Sequence, residues 1–331
     1  MTLHRRRFNA TGLSALATAS GLATLAALPG AAQAQTPASV TRILVGAPAG
    51  GTTDTMARVM AVELGRLLGR TVVVENKAGA GGNLAADAVA KAAPDGHTLL
   101  MSFTSHAINA SLYPSLPFDP LRDFTPLTMV STTTAMLVAH PGLPAKDLRE
   151  LITLAKAKPG QLNFAIGALG SSVHLAGEAF KMMSGTDIVN IPYKGTAPAI
   201  QDVLAGQVPL MFANIGNAQA HVRAGKLKAL GVTSARRHPA FPEVPAIAEL
   251  LPGYQSNAWF GLFAPARLPP ELLRTLGEAA RAAVNSAAVR QRIEQEGATP
   301  VGNTPEEFAR FVAEEIPRWA QVVRFAGAKP E

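Results

Sequence analysis

Short apolar runs closed by glycine alternate with helix-period segments along most of the chain. The run Thr41 to Gly46 precedes an amphipathic stretch from Asp54 to Leu68, with Gly69 placed to cap its C-terminus. A second apolar run follows from Thr71 to Glu75. This spacing predicts a βαβ unit. The loop Ala78-Gly79-Ala80-Gly81-Gly82-Asn83, an alanine-rich helix to Ala93, the turn Pro94-Asp95-Gly96 and a strand from His97 to Phe103 continue the rhythm. Such alternation argues for a parallel sheet with helices on both faces.

The pattern restarts near Leu148. A helix to Lys158 stops at Pro159-Gly160, the strand Leu162 to Gly167 follows, and a helix runs from Ser172 to Met183. Further strands are predicted near Ile188 to Ile191, Val208 to Phe212 and Leu227 to Thr233, with short helices between them. The segments Thr128 to His140 and Ser256 to Ala264 separate the two alternating regions and read as crossovers between lobes. The C-terminal part is helical: Pro269 to Val284, Ala287 to Gln295, and a last helix with Thr304 as cap, Pro305 at its first position and Glu307 completing a capping box. Pro317 predicts a kink in that helix.

The first 34 residues follow another grammar. Arg5-Arg6-Arg7 is a basic start, Gly12 to Leu28 an apolar stretch, and Ala32-Gln33-Ala34 a small-residue cleavage site, together a signal peptide. Arg5-Arg6-Arg7-Phe8 also resembles a twin-arginine export signal, and both export routes stay open. No later run reaches the ~20 apolar residues a membrane helix needs. A soluble, exported chain is expected.

Composition narrows the classes further. The chain has 331 residues, is 48% apolar and only 16% charged, which points to a globular fold of two lobes. The absence of cysteine excludes disulfides, thiolate metal sites and cysteine nucleophiles. Without the signal segment, 27 basic residues face 23 acidic ones, scattered along the chain, so no nucleic-acid footprint is expected. No G-x-S-x-G or H-E-x-x-H signature occurs, and the histidines stand singly, so no catalytic residue, metal site or cofactor is expected. Gly46 to Thr53 has the glycine spacing of a P-loop, but Thr52 stands where the phosphate-binding lysine belongs. Gly79 to Leu84 lacks the last glycine of a dinucleotide fingerprint.

Two stretches retain chemical promise. Ile43-Leu44-Val45-Gly46-Ala47-Pro48-Ala49-Gly50-Gly51-Thr52-Thr53-Asp54 and Asn163-Phe164-Ala165-Ile166-Gly167-Ala168-Leu169-Gly170-Ser171-Ser172 each pass from an apolar strand through a glycine-rich turn into a helix. A helix starting with glycine and hydroxyl residues leaves free N–H groups at the positive end of its dipole, where an anion docks. The bland alternative is an ordinary βα turn, capped by Thr53 or Asp54 in the first case and by Ser172 in the second. Two such ends facing one another form a clamp for a negatively charged solute, and a dianion suits it best.

Gly46 through Asp54, Val74-Glu75-Asn76-Lys77-Ala78-Gly79-Ala80-Gly81-Gly82-Asn83, Ala92-Ala93-Pro94-Asp95-Gly96, Pro192-Tyr193-Lys194-Gly195 and Trp259-Phe260-Gly261 closely resemble motifs of the Bug family, the periplasmic solute receptors of tripartite tricarboxylate transporters. The likeness covers nearly all of residues 40 to 330. It implies an α/β, two-lobed Venus flytrap of the type II periplasmic-binding class, each lobe a mixed, mainly parallel sheet flanked by helices. Residues 35–132 with 258–331 would form one lobe and 133–257 the other.

The resemblance also implies a ligand site. Pro48, Ala49, Gly50, Gly51, Thr52, Thr53 and Asp54 match the family's first carboxylate loop, and Ala168, Gly170, Ser171 and Ser172 its second. Asn83, Thr104, Ser105, His106, His174, Lys194, Gly195, Thr196, Ala197 and Asn214 would line the rest of the cleft. His106 and His174 suit a structural role equally well, and Trp259 and Phe260 suit hinge packing. The family often places an acid before the Asn214 position, where this chain has Ala213. Apart from Asp54, no partner for an ammonium group is then expected. The implied ligand is a carboxylate without an amine: a di- or tricarboxylate or an aromatic acid. A monomer delivering this solute to a membrane permease or a sensor is expected, with an exported α/β enzyme acting on organic acids as the alternative.

Overall fold

The computed structural model describes residues 40–167 and 169–330. The signal segment and Ala168 lie outside the described residues. The first half of the chain runs β1 Thr41–Val45, α1 Thr52–Leu68, β2 Val72–Asn76, a 3₁₀ turn Ala80–Gly82, α2 Asn83–Ala90, β3 Thr98–Phe103, α3 Ser105–Leu112, β4 Phe124–Thr133 and β5 Ala135–Ala139. It continues with α4 Leu148–Ala157, β6 Leu162–Ile166, α5 Ser172–Ser184, β7 Ile188–Pro192, α6 Thr196–Leu204, β8 Leu210–Asn214, α7 Ile215–Arg223 and β9 Lys228–Val232. The final part holds β10 Ala258–Pro265, α8 Pro270–Asn285, α9 Ala287–Gln295, β11 Thr299–Pro300 and α10 Pro305–Ala326.

Two sheets result. The first has the strand order β11-β4-β10-β3-β1-β2 and the second β7-β6-β8-β5-β9. In the first, β1 pairs in parallel with β2 and β3, whereas β10 runs antiparallel between β3 and β4. In the second, β6 pairs in parallel with β7 and β8, and β5 runs antiparallel between β8 and β9. The antiparallel strands are the two at which the chain changes sheet: it leaves the first after Thr133, enters the second at Ala135 and re-enters the first at Ala258. The expected crossover segments are interior strands of the two sheets.

Local chemistry explains the element ends. Gly69 stops α1 at φ +62°, a conformation open to glycine, and donates its N–H to the Gly65 carbonyl. Thr304 and Glu307 exchange hydrogen bonds at the start of α10, with Pro305 following the cap. α10 then runs unbroken through Pro317. One expected start shifts, α1 beginning at Thr52 with Gly51 as a cap without a side-chain bond; α5 begins at Ser172 as expected, with Ser171 rather than Ser172 as its cap.

α10 joins the two halves of the molecule, one built on each sheet. It packs on α3 and β4 of the first and on α5 of the second, and Trp259, Phe263 and Phe308 share one apolar core with Phe164, Phe180 and Phe212. Inside that core, Glu315 of α10 accepts from the indoles of Trp259 at 3.1 Å and Trp319 at 2.8 Å and pairs with Arg318. Trp259 is wholly buried, and its backbone is tied to Thr104 in both directions. The residue expected to pack at the hinge is therefore a fixed strut between β10, α3 and α10.

Candidate functional site

Each glycine-rich turn is pressed against the next loop of its own half. A Cβ on Gly46 would lie 2.6 Å from Gly82 Cα, and one on Gly167 would lie 2.8 Å from Thr196 N. Only glycine permits backbone to meet backbone so closely. The chain can then turn sharply out of β1 and β6 and deliver the first turns of α1 and α5 to the carboxyl ends of their sheets.

The two turns are anchored alike. Gly50, at φ +83°, donates its N–H to Asp54 Oδ2 at 2.9 Å, and Gly170, at φ +70°, donates to His174 Nδ1 at 3.0 Å. In each case a glycine binds the side chain four residues on, in the first turn of the helix it introduces. An asparagine on the neighbouring parallel strand braces each anchor. Asn76 of β2 donates to Asp54 Oδ1 at 2.9 Å, and Asn190 of β7 lies 3.3 Å from His174 Nε2 and donates to Glu178 at 2.6 Å. A charged residue one further helical turn along completes both sets: Arg58 binds Asp54 at 2.9 Å, and Glu178 stands 3.6 Å from His174.

The electrostatics follow from these contacts. The Arg58 guanidinium, with the Gly50 amide and Asn76, holds the Asp54 carboxyl below the usual range against the opposing effect of its burial. Because Gly170 donates to Nδ1, the neutral His174 ring carries its proton on Nε2, facing Glu178. Burial lowers the His174 pKa; Glu178 opposes this and Lys181, bound to Glu178 at 2.6 Å, assists it. Both anchors are buried and have their partners, so they shape the turns rather than present free charge.

A cavity of about 800 Å³ lies between the halves. From the first it is lined by Thr52 at the start of α1, by Ala80 and Gly81, and by Thr104 and Ser105 at the start of α3. From the second it is lined by Leu169, Gly170, Ser171 and Ser172 at the start of α5, and by Asn214. The residues Thr52, Thr104, Ser105, Gly170, Ser171, Ser172 and Asn214, expected at the site, are thus brought together. Pro48, Ala49, Gly50 and Gly51 form the exposed approach to α1, and Thr53 and Asp54 are buried behind it.

Other expected residues stand outside the lining. Asn83 is buried and holds Asn109 of α3 at 2.8 Å, so its amide orders a neighbour that does line the cavity. His106 points into the aromatic cluster of Phe118, Phe124 and Phe263, with Nε2 2.9 Å from the Pro120 carbonyl; burial drives its pKa down to about 4. Lys194 is exposed, Gly195 and Thr196 buttress Gly167, and none of these nor Ala197 is in the cavity lining.

Several lining residues escaped the sequence reading, among them Asn109, Tyr113, Thr133, Gly216, Asn217 and Lys329. Asn109 and Tyr113 belong to α3 and its end, a helix that the sequence analysis does not predict. The segment Ser-His-Ala-Ile-Asn-Ala-Ser-Leu carries a helical pattern of apolar residues that was available to find it. Nothing local marks Thr133 or Gly216, which reach the cavity only through the pairing of distant strands.

Comparison with known proteins gives the same picture. The sequence profile described as "Tripartite tricarboxylate transporter family receptor" (TctC) matches residues 56–327. Protein BugT of Bordetella pertussis is 44% identical over 296 residues, 88% of this chain and 91% of that one. Among solved structures, Rpa4515 of R. palustris, determined with adipate, is 35% identical with a TM-score of 0.72 over 89% of this chain and 100% of that one. MatC (Rpa3494) from Rhodopseudomonas palustris, with bound malate, is 37% identical with a TM-score of 0.69 over 87% and 99%. Among the described residues, no helix is long and apolar enough to cross a membrane. Motif order, two mixed sheets flanked by helices and a profile spanning most of the sequence lead to one conclusion: this chain belongs to the tripartite tricarboxylate transporter receptor family, as a Bug-type solute-binding protein.

Proposed function

We propose that this chain is a periplasmic receptor that captures a small carboxylate between its two halves, residues 35–132 with 258–331 and residues 133–257, and closes on it for uptake or sensing. One observation carries the reading: the N-terminal turns of α1 and α5, one from each half, open on the same cavity. Amide dipoles converging from two sides hold an anion without a fixed cation. Charge-assisted hydrogen bonds contribute roughly 1.5 to 3 kcal/mol each, so several together supply the ~8 kcal/mol of a micromolar ligand. Because ligand contacts from both halves exist only when the cleft is shut, binding favours closure, and the closed form is what a membrane permease or sensor would read.

A ligand without an amine fits best. Asp54, the acid expected near the site, is occupied by Gly50, Arg58 and Asn76. Glu296 borders the cavity but is paired with Arg292 at 2.8 Å. The adipate and malate of the two relatives are dicarboxylates without an amine, which supports the same class here. The exported-enzyme alternative is weaker: the buried His106 and His174 and the paired Asp54 offer no free acid or base in the cavity.

The test is isothermal titration of the signal-free protein with C4 to C6 di- and tricarboxylates, benzoate, aspartate and glutamate. Stoichiometric heat with di- or tricarboxylates or benzoate, and none with the amino acids, is expected. Gly51→Asp and Ser171→Asp each place a carboxylate at a helix start where it serves as cap and should abolish binding without unfolding the chain. Parent-like affinity in either variant overturns the two-ended clamp.

A further inference from the structure

Part of the cavity lining belongs to neither glycine turn. Thr133, the last residue of β4, lines it; the residue is 7% exposed, and among the described residues its Oγ1 is buried without a hydrogen-bond partner. Such a hydroxyl is costly unless something arrives to bind it. The next residue, Thr134, accepts the Ile215 N–H at 3.0 Å, which fastens the start of α7 beside Thr133.

α7 also begins at the cavity, with Asn214, Gly216 and Asn217 all in the lining. Asn214 occupies the cap position, yet its side chain makes no capping bond. The first-turn amides of a helix have no acceptor within the helix itself, so those of Gly216 and Asn217 are available to a ligand. Gly216 has no side chain to shield them, and it nearly touches the other half of the molecule: a Cβ on Gly297 would lie 3.3 Å from Gly216 Cα. Lys329 adds the one cationic side chain among the described lining residues. The one acid there, Glu296, is neutralised by Arg292.

We propose that Thr133 Oγ1 and the first turn of α7 form a second anion subsite, which receives the distal carboxylate of a diacid whose proximal carboxylate lies between α1 and α5. This rests on the receptor reading above and deepens it, because it makes the preferred solute a dicarboxylate rather than a monocarboxylate. The donors explain the preference. A hydroxyl and free helix amides leave an apolar tail with unmet polar partners, but they match a carboxylate.

Titration of adipate and of hexanoate, the same six-carbon chain without the second carboxylate, tests the subsite. In the parent, adipate should bind at least tenfold more tightly than hexanoate. Thr133→Val removes the unpaired hydroxyl at nearly constant volume. The ligand-free variant should melt no lower than the parent, while adipate weakens about tenfold and hexanoate changes less than twofold; Thr133→Ser should keep adipate binding. Asn214→Asp supplies α7 with a cap and places a negative charge at the subsite, so it should also weaken adipate selectively while the fold persists. Equal losses of both acids, or no loss of adipate in either variant, overturn the subsite and leave the receptor reading intact. A parent that binds hexanoate as tightly as adipate overturns the subsite alone; a parent that binds none of the di- and tricarboxylates nor benzoate overturns the receptor reading and the subsite with it.

Discussion

The backbone N–H of Gly170 donates to His174 Nδ1 at 3.0 Å, across four residues that span the end of a loop and the first turn of α5. The other half repeats the device, with Gly50 donating to Asp54 Oδ2 at 2.9 Å. Two loops of different sequence are thus held by the same geometry with different chemistry, an imidazole in one and a carboxylate in the other. The consequence is a set of pre-formed amide donors whose positions depend on side chains that do not line the cavity.

Protonation of His174 would turn Nδ1 from acceptor to donor and break the Gly170 bond. The groups facing the ring are Glu178 and Lys181 of α5 and Asn190 of β7. Because burial keeps its pKa below the usual histidine value, the neutral form persists through neutrality, and carboxylate affinity should stay flat from pH 8 to about 6.5 and fall below that. In His174→Leu the affinity should be weaker, on the order of tenfold, and should lose this acid limb down to the ligand's own titration. Calorimetry across pH with a fully ionised probe such as methylsulfonate or sulfate checks the protein's share.

Asp54→Asn should weaken carboxylate binding, also by roughly tenfold, even though it removes a negative charge from near an anion site. Loss of Oδ2 as a charged acceptor releases the Gly50 amide and Arg58, and a hydrogen bond to a charged group contributes about 1.5 to 3 kcal/mol, so the turn loses its anchor. A substitution that instead tightened binding would mean the carboxylate faces the ligand directly.

Gly46→Ala and Gly167→Ala each push a methyl into backbone, at 2.6 Å from Gly82 Cα and 2.8 Å from Thr196 N. Backbone cannot rotate away as a flexible side chain would. Each variant should lose about 1 to 3 kcal/mol of stability, read by thermal denaturation, together with carboxylate affinity. Neither glycine lies at positive φ, so the loss is steric rather than backbone strain.

His106 titrates near 4 when folded and near 6.5 when unfolded, so the unfolded chain binds the proton first on acidification. Its contribution is complete above pH 6.5 and is lost as pH falls toward 4, amounting to about 3 kcal/mol by linkage. Denaturant unfolding between pH 7.5 and 4 should show this slope, and His106→Phe, which suits the surrounding phenylalanines, should flatten it.

The sequence by itself determined the strand and helix order, the two glycine-rich turns, the capping box of α10 and the motifs that carry the family, because periodicity, glycine placement and capping are properties of neighbouring residues. Missing α3 as a helix hid Asn109 and Tyr113, a local failure that its apolar pattern could have prevented. The rest was decided only in three dimensions. His174 and Asp54 were open in the sequence between ligand contact and a structural role, and the side-chain partners that now engage them, Asn190 and Asn76, arrive on separate strands. Thr133 and Gly216 carried no signal at all: they meet at one end of the cavity because β4, β5 and β8 bring together residues about eighty positions apart, and a hydroxyl is a potential ligand contact only once the fold has taken away every other partner.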